Sequence, residues 1–239
     1  MQTIALILAG GSGRRMKQDI PKQFINIHDK PVLIYTLENF QKHPGIDSIL
    51  VVCLDGWHDV LTAYAGQFNI TKLRWIVSGG ATSQESIRNG IFFLDGKCDN
   101  DDIIMIHDGI RPLVDSNVIS DSIVKCREHG NAVAALPYNE QIFIADNDES
   151  TSDFIPRETI RRVTTPQAYT FGVLSDAYHT AFERSIGITK TDYANTMMVK
   201  LGHTLYFSAG SDKNIKLTTK DDLELFKAYL KMEKNDWLK

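Results

Sequence analysis

Short apolar runs alternate along this chain with stretches whose apolar residues recur every three or four positions. Residues 4–8, 49–54, 73–77, 103–106 and 132–136 are brief and rich in β-branched side chains, the pattern of strands buried on both faces. Leu33, Leu37 and Phe40 share one helical face, as do Ile119, Ile123 and Cys126. Such alternation predicts right-handed βαβ units and hence an α/β fold, a Rossmann-like open and mostly parallel sheet with helices on both sides. The rhythm breaks after Pro137. Residues 141–145 and 151–155 flank a polar turn at 146–150, which predicts a β-hairpin arm at about 137–157 projecting from the body. Helical patterning resumes at 174–182 and 192–201, and a late strand is expected at 204–208. A last helix starts at Thr219, with Asp222 three residues on in a capping-box-like position. With no internal repeat or low-complexity segment, residues 1–239 read as one domain carrying an arm.

A chain of 239 residues with 43% hydrophobic content supports a sizeable core. Its net charge of -4 argues against a general nucleic-acid or membrane-surface binder. No apolar run approaches membrane-spanning length. Cys53, Cys98 and Cys126 are too few and too widely spaced for a disulfide framework or a zinc site, and they read as buried thiols in a reducing compartment. The N-terminus lacks a basic n-region and a cleavage site, so no signal peptide is expected and the chain reads as cytoplasmic. The seven histidines form no metal-ligating set.

The basic residues are concentrated locally, and that changes the picture. Immediately after the first strand come Ala9, Gly10, Gly11, Ser12 and Gly13, followed by Arg14, Arg15, Lys17 and Lys22. Glycines without Cβ atoms let the backbone turn and present N–H groups to an anion. A strand, a glycine loop and clustered cations predict a polyphosphate site at the carboxyl edge of the sheet. This is not a P-loop, since no Lys-Ser or Lys-Thr follows the glycines, and not the dinucleotide fingerprint, whose third glycine would fall on Met16. The plain alternative is a basic surface turn, against which the Pro21-Lys22-Gln23 continuation counts.

Five further segments carry candidate chemistry. His107-Asp108-Gly109-Ile110-Arg111-Pro112 follows the 103–106 strand, which places it beside the glycine loop. Asp108 there can orient a hydroxyl or a magnesium-bound phosphate through water, and Arg111 can fork onto a phosphate; an Asp–Arg pair that only locks the loop is the alternative. Gly79 and Gly80 form a second glycine turn, entering a helix that carries Ser86. Arg157, Arg161 and Arg162 precede Thr165-Pro166-Gln167, with Thr191-Asp192 and Asn214-Ile215-Lys216 downstream.

These segments, in this order, resemble the signature of sugar-nucleotide-type nucleotidyltransferases, and most closely the cytidylyltransferases acting on methylerythritol phosphate and ribitol phosphate. The resemblance covers nearly the whole chain. It implies transfer of CMP from CTP to a polyol phosphate with release of pyrophosphate, Mg²⁺ on the triphosphate, and a homodimer in which the arm reaches the partner's site. It implies catalytic roles for Arg15, Lys22 and Lys216. It implies nucleotide binding by Ala9, Gly10, Gly11, Ser12, Gly13, Gly79, Gly80 and Ser86. Acceptor binding would fall to Asp108, Arg111, Arg157, Thr165 and Thr191, with Asp108 also the candidate metal contact. His107, inside the motif, reads as a hydrogen-bonded structural ring. Three departures stand out: Ser83 replaces an expected arginine, Thr164 replaces a glutamine, and Glu140-Gln141-Ile142-Phe143 replaces a D-T-[IM]-K segment on the arm. The last leaves methylerythritol 4-phosphate and ribitol 5-phosphate both open as acceptor. A hexose-1-phosphate nucleotidyltransferase and a catalytically silent relative are the other readings.

Overall fold

The computed structural model describes residues 1–11, 20–189 and 191–235. The chain begins with β1 (Thr3–Ala9) and reaches, through a 3-10 turn at Lys22–Phe24, a small ribbon of β2 (Asn26–Ile27) and β3 (Lys30–Pro31). Then come α1 (Val32–Lys42), β4 (Ser48–Cys53), α2 (His58–Gln67), β5 (Leu73–Ser78), α3 (Ser83–Leu94), β6 (Ile103–Asp108), α4 (Ser116–His129) and β7 (Asn131–Pro137). The second half holds β8 (Ile142–Ala145), β9 (Thr151–Ile155), β10 (Arg161–Thr170), α5 (Phe171–Arg184), α6 (Ala194–Lys200), β11 (Phe207–Ala209) and α7 (Lys220–Asn235).

A seven-stranded sheet has the order β11-β7-β10-β6-β1-β4-β5. It is parallel except at β10, which runs antiparallel to both β6 and β7. Alternate residues of each strand serve opposite cores, as the period of two demands. Ala5, Ile7 and Ala9 of β1 face α1, α2 and α4 through Leu33, Leu37, Leu61, Ile119 and Ile123. Ile4 and Leu6 face α3, α5 and α6 through Ile87, Ile91, Leu174, Tyr178 and Met197. The doubly wound α/β expectation is met. Among the described residues no helix is long and apolar enough to cross a membrane.

Some boundaries differ from expectation. The ten-residue β10 was read only as a basic cluster, because two arginines and a proline disguise a strand whose second half is buried. The late strand lies at Phe207–Ala209, since 204–205 lead into it without pairing. Cys98 is half-buried, while Cys53 and Cys126 are buried as expected; burial pushes the thiols up, to about 11 for Cys53 and Cys98 and to about 12 for Cys126, so all three stay protonated near neutral pH. At the last helix, Thr219 accepts from the Asp222 N–H (3.2 Å) and Asp222 accepts from the Thr219 N–H (2.7 Å), the reciprocal cap that the sequence predicts.

Candidate active site

In an open parallel sheet, strand ends of one polarity meet at a single edge, and ligands bind there. β1 ends at Ala9, β4 at Cys53, β5 at Ser78 and β6 at Asp108, so both glycine turns and the H-D-x-x-R-P segment converge. A cavity of about 460 Å³ opens between them, lined by Gly10, Gly11, Lys22, Gly80, Ser83, Ser86, Asp108 and Lys216 among others. The two glycine turns touch: a Cβ built on Gly10 would lie 3.4 Å from the Gly79 Cα, and one on Gly79 3.3 Å from the Gly10 Cα. Ser86 fastens this junction, donating to the Thr82 carbonyl (2.9 Å) and accepting from the Gly80 N–H (3.0 Å). Gly80 leaves no room for a side chain without a shift of its neighbours, since a Cβ there would sit 2.3 Å from the Glu85 Cβ.

Two fixtures of this cavity were not singled out from sequence. Thr82 and Glu85 form a capping box at the start of α3, a T-x-x-E pattern legible in the chain. Gln23, almost fully buried, donates from Nε2 to the carbonyls of Ala9 (2.7 Å) and Gly11 (3.0 Å) and so ties the glycine loop to the Lys22 turn. Its signal was the final residue of Pro-Lys-Gln. Ser12, Gly13 and Arg15 lie outside the described residues.

A second cavity of about 360 Å³ shares Leu8, Ser83, Asp108 and Lys216 with the first, and adds Arg111, Thr164, Thr165, Gln167, Tyr193 and Thr196. Asp108 is the hub between them. Its Oδ1 accepts from Lys216 Nζ (3.0 Å) and its Oδ2 from Arg111 Nε (2.9 Å). Burial alone would push this carboxyl up, but the charges of Lys216 and Arg111 and their hydrogen bonds outweigh it and hold it at about 2. Arg111 also donates to the Asn214 carbonyl (2.7 Å), and Asn214 donates to the Thr165 carbonyl (2.6 Å). Thr165 Oγ1 accepts from the Asp108 N–H (3.3 Å). Two cations against one carboxylate leave this wall positive, suited to a phosphate.

His107 is fully buried, and its Nε2 donates to the Arg111 carbonyl (3.1 Å). Burial pushes its pKa down to about 4. It is neutral near neutral pH and braces the loop, as the sequence suggests.

Two expected acceptor contacts are not brought to Asp108. Arg157 stands at the base of the arm, 61% exposed and paired with Glu158 (3.6 Å), and lines neither cavity. Thr191 is exposed beside Thr189 (3.3 Å). Its neighbour Asp192 is buried and accepts from Thr189 Oγ1 (2.6 Å) and Lys200 Nζ (2.5 Å), which makes it a brace for the turn into α6.

As for a metal, no cluster of three or more His, Cys, Asp or Glu exists among the described residues. Among the described residues Asp108 is the one carboxylate lining either cavity, and both its oxygens already hold cations. This donor set does not make a resident cation cage. It fits a magnesium ion that arrives on a triphosphate and is reached from Asp108 through water.

The model of the family described as "IspD: 2-C-methyl-D-erythritol 4-phosphate cytidylyltransferase" matches residues 3–232. A ribitol-5-phosphate cytidylyltransferase of Lacticaseibacillus paracasei is 59% identical over 227 residues, covering 95% of this chain and 97% of that protein. A 2-C-methyl-D-erythritol 4-phosphate cytidylyltransferase of Syntrophus aciditrophicus is 37% identical over 239 residues, with 97% of each covered. The crystal structure of the Francisella tularensis 2-C-methyl-D-erythritol 4-phosphate cytidylyltransferase superposes with a TM-score of 0.74 at 26% identity, covering 94% of this chain and 98% of that one. With its glycine loop, paired cavities and near full-length match, the chain belongs to the 2-C-methyl-D-erythritol 4-phosphate cytidylyltransferase family.

Proposed function

We propose that this chain, working as one domain in the cytoplasm, transfers CMP from CTP to ribitol 5-phosphate and releases pyrophosphate. The observation that carries the reading is the shared wall: Asp108 and Lys216 border both a glycine-lined cavity and a phosphate-suited one. Two polyanions seated there meet across one cationic partition. The acceptor choice is supported by the ribitol-5-phosphate name of the 59% identical relative. Methylerythritol 4-phosphate is the second reading, supported by the family description and the 37% identical relative.

In the mechanism, the Gly10, Gly11 and Gly80 backbone holds the nucleotide, and Ala9, Ser12, Gly13, Gly79 and Ser86 are assigned to the same nucleotide-binding role. An oxygen of the acceptor phosphate attacks the α-phosphorus, forming one P–O bond as the bond to pyrophosphate breaks. The second pKa of a phosphate monoester is about 6, so the nucleophile is already anionic and no general base is needed. That suits a site whose buried His107 is a brace. Lys22, with Arg15, stabilises charge on the α-phosphate and leaving group, while Lys216 and Arg111 orient the acceptor phosphate beside Thr165. Mg²⁺ bound to the triphosphate would supply further charge neutralisation, with Asp108 reaching it through water. Thr191 would contact the acceptor from the rim. The arm is assigned to a homodimer: Phe143 and Phe154 pair in register and are 55% and 61% exposed, an apolar surface suited to a second copy. Arg157 would then serve the partner's acceptor cavity.

The test is pyrophosphate release with CTP and a panel of polyol phosphates. Ribitol 5-phosphate should be the preferred acceptor, and CTP should be favoured strongly over GTP, by up to about 10⁴-fold at a site that reads hydrogen bonds. Turnover with hexose 1-phosphates alone, or none with any acceptor, overturns the proposal.

A further inference from the structure

The acceptor-side cavity holds more hydrogen-bonding capacity than a phosphate can use. Arg111 and Lys216 suit the phosphate, and Ile87, Ile106 and Val163 contribute only apolar surface. The remaining polar groups are Ser83, Tyr193 and Thr196, which are exposed, Asn195, which is half-buried, and Thr164, Thr165 and Gln167 on β10. Thr165 is committed to the Asp108 N–H and to Asn214. Gln167 is not fully committed. It is 7% exposed, and its Oε1 accepts from the Tyr169 hydroxyl (3.2 Å), which fixes the amide plane. Its Nε2 makes no hydrogen bond among the described residues and, unlike Thr164 Oγ1, is not sealed from solvent, so it is open to the cavity. Thr164, 9% exposed, lines the same cavity, and its Oγ1 is buried without a partner. Two neighbouring polar side chains, both nine-tenths buried and both with unused capacity, are uncommon in a folded chain and mark a ligand contact. Neither lines the glycine-loop cavity.

We propose that Gln167, with Thr164 beside it, is a specificity-determining residue that reads hydroxyl groups of the acceptor polyol. This rests on the cytidylyl-transfer reading above and deepens it. The phosphate is held by charge, which every polyol phosphate satisfies equally. Discrimination between polyols must come from neutral donors and acceptors further along the cavity. An amide locked through its oxygen offers N–H donors at a fixed angle, which selects a hydroxyl in one place.

The experiment is steady-state kinetics of Gln167→Met and Thr164→Val with ribitol 5-phosphate and a series of its monodeoxy analogues. Losing one neutral hydrogen bond should lower kcat/KM for ribitol 5-phosphate by about tenfold. The KM for CTP should not move. The wild type should lose the same factor on one monodeoxy analogue, and the Gln167→Met enzyme should lose nothing further there. Wild-type kinetics in both variants, with the wild type active, overturn this inference alone. So does an equal loss on every analogue, or a matching rise in the CTP KM, which is what a merely structural role predicts. No turnover by the wild type overturns the functional reading itself. Should Gln167→Met fail to fold for want of the Tyr169 bond, Thr164→Val carries the same test, since valine matches threonine in shape.

Discussion

Replacing Asp108 by asparagine keeps the side-chain shape and removes the charge that joins Lys216 to Arg111. The structure gives the size of the effect. A carboxyl lowered from its usual 3.8 to about 2 gains about 2 kcal/mol from being ionised in the folded chain. The side chain is 15% exposed, so solvent screens it little, but its partner Lys216 is 37% exposed and part of that attraction is screened. About 2 kcal/mol is therefore an upper figure. The sign follows from the direction. Because the folded pKa is depressed, the contribution is fully present above about pH 4 and is lost as pH falls towards about 2. Asp108→Asn should then be less stable than wild type by up to about 2 kcal/mol near neutrality, and the two proteins should converge only below about pH 2. Urea unfolding at several pH values measures this directly. Equal stability near neutrality, or a gap that does not close with acid, refutes the reasoning about the hub.

Other outcomes follow from particular contacts. Lys22→Ala should cost about 3 kcal/mol in the barrier, about 100-fold in turnover, with an unchanged circular dichroism spectrum; near wild-type turnover removes Lys22 from the mechanism. Gly80→Ala pushes against Glu85 and should disturb the capping box, lowering stability by about 1–2 kcal/mol in urea and raising the CTP KM together. Arg157→Ala should raise the acceptor KM with little change for CTP, and deleting the arm should give monomers in sedimentation; equal weakening of both substrates, or an armless active dimer, refutes the arm's assignment.

What the sequence made legible follows a physical divide. β1, β4 and β6 are buried on both faces, so their apolar runs announce them. β10 is half exposed, and Arg161, Arg162 and Pro166 give it the composition of a loop. The glycine loop and the Asp108 segment were legible because each packs its chemistry into a few consecutive residues. The work of Gln23 and Asn214 was not, because both act on backbone carbonyls distant in the chain, Ala9 for one and Thr165 for the other. Periodicity carries no trace of such contacts. Arg157 shows the opposite limit: a motif names the residue, while its own chain leaves it at the arm, away from the cavity.

The insertion of β10 between β6 and β7 divides the labour of the site along the chain. Among the described residues and apart from Lys216, every wall of the glycine-lined cavity comes from residues up to Ile110. Most of what is particular to the other cavity comes from residues 163–196. On the proposed reading, the nucleotide handle and the acceptor gauge are thus written in separate stretches of sequence, joined at Asp108. A lineage can redraft the later stretch and acquire a new polyol while the earlier one keeps its grip on CTP. A hybrid whose first 110 residues come from one relative and whose remainder comes from another should inherit its acceptor from the second parent.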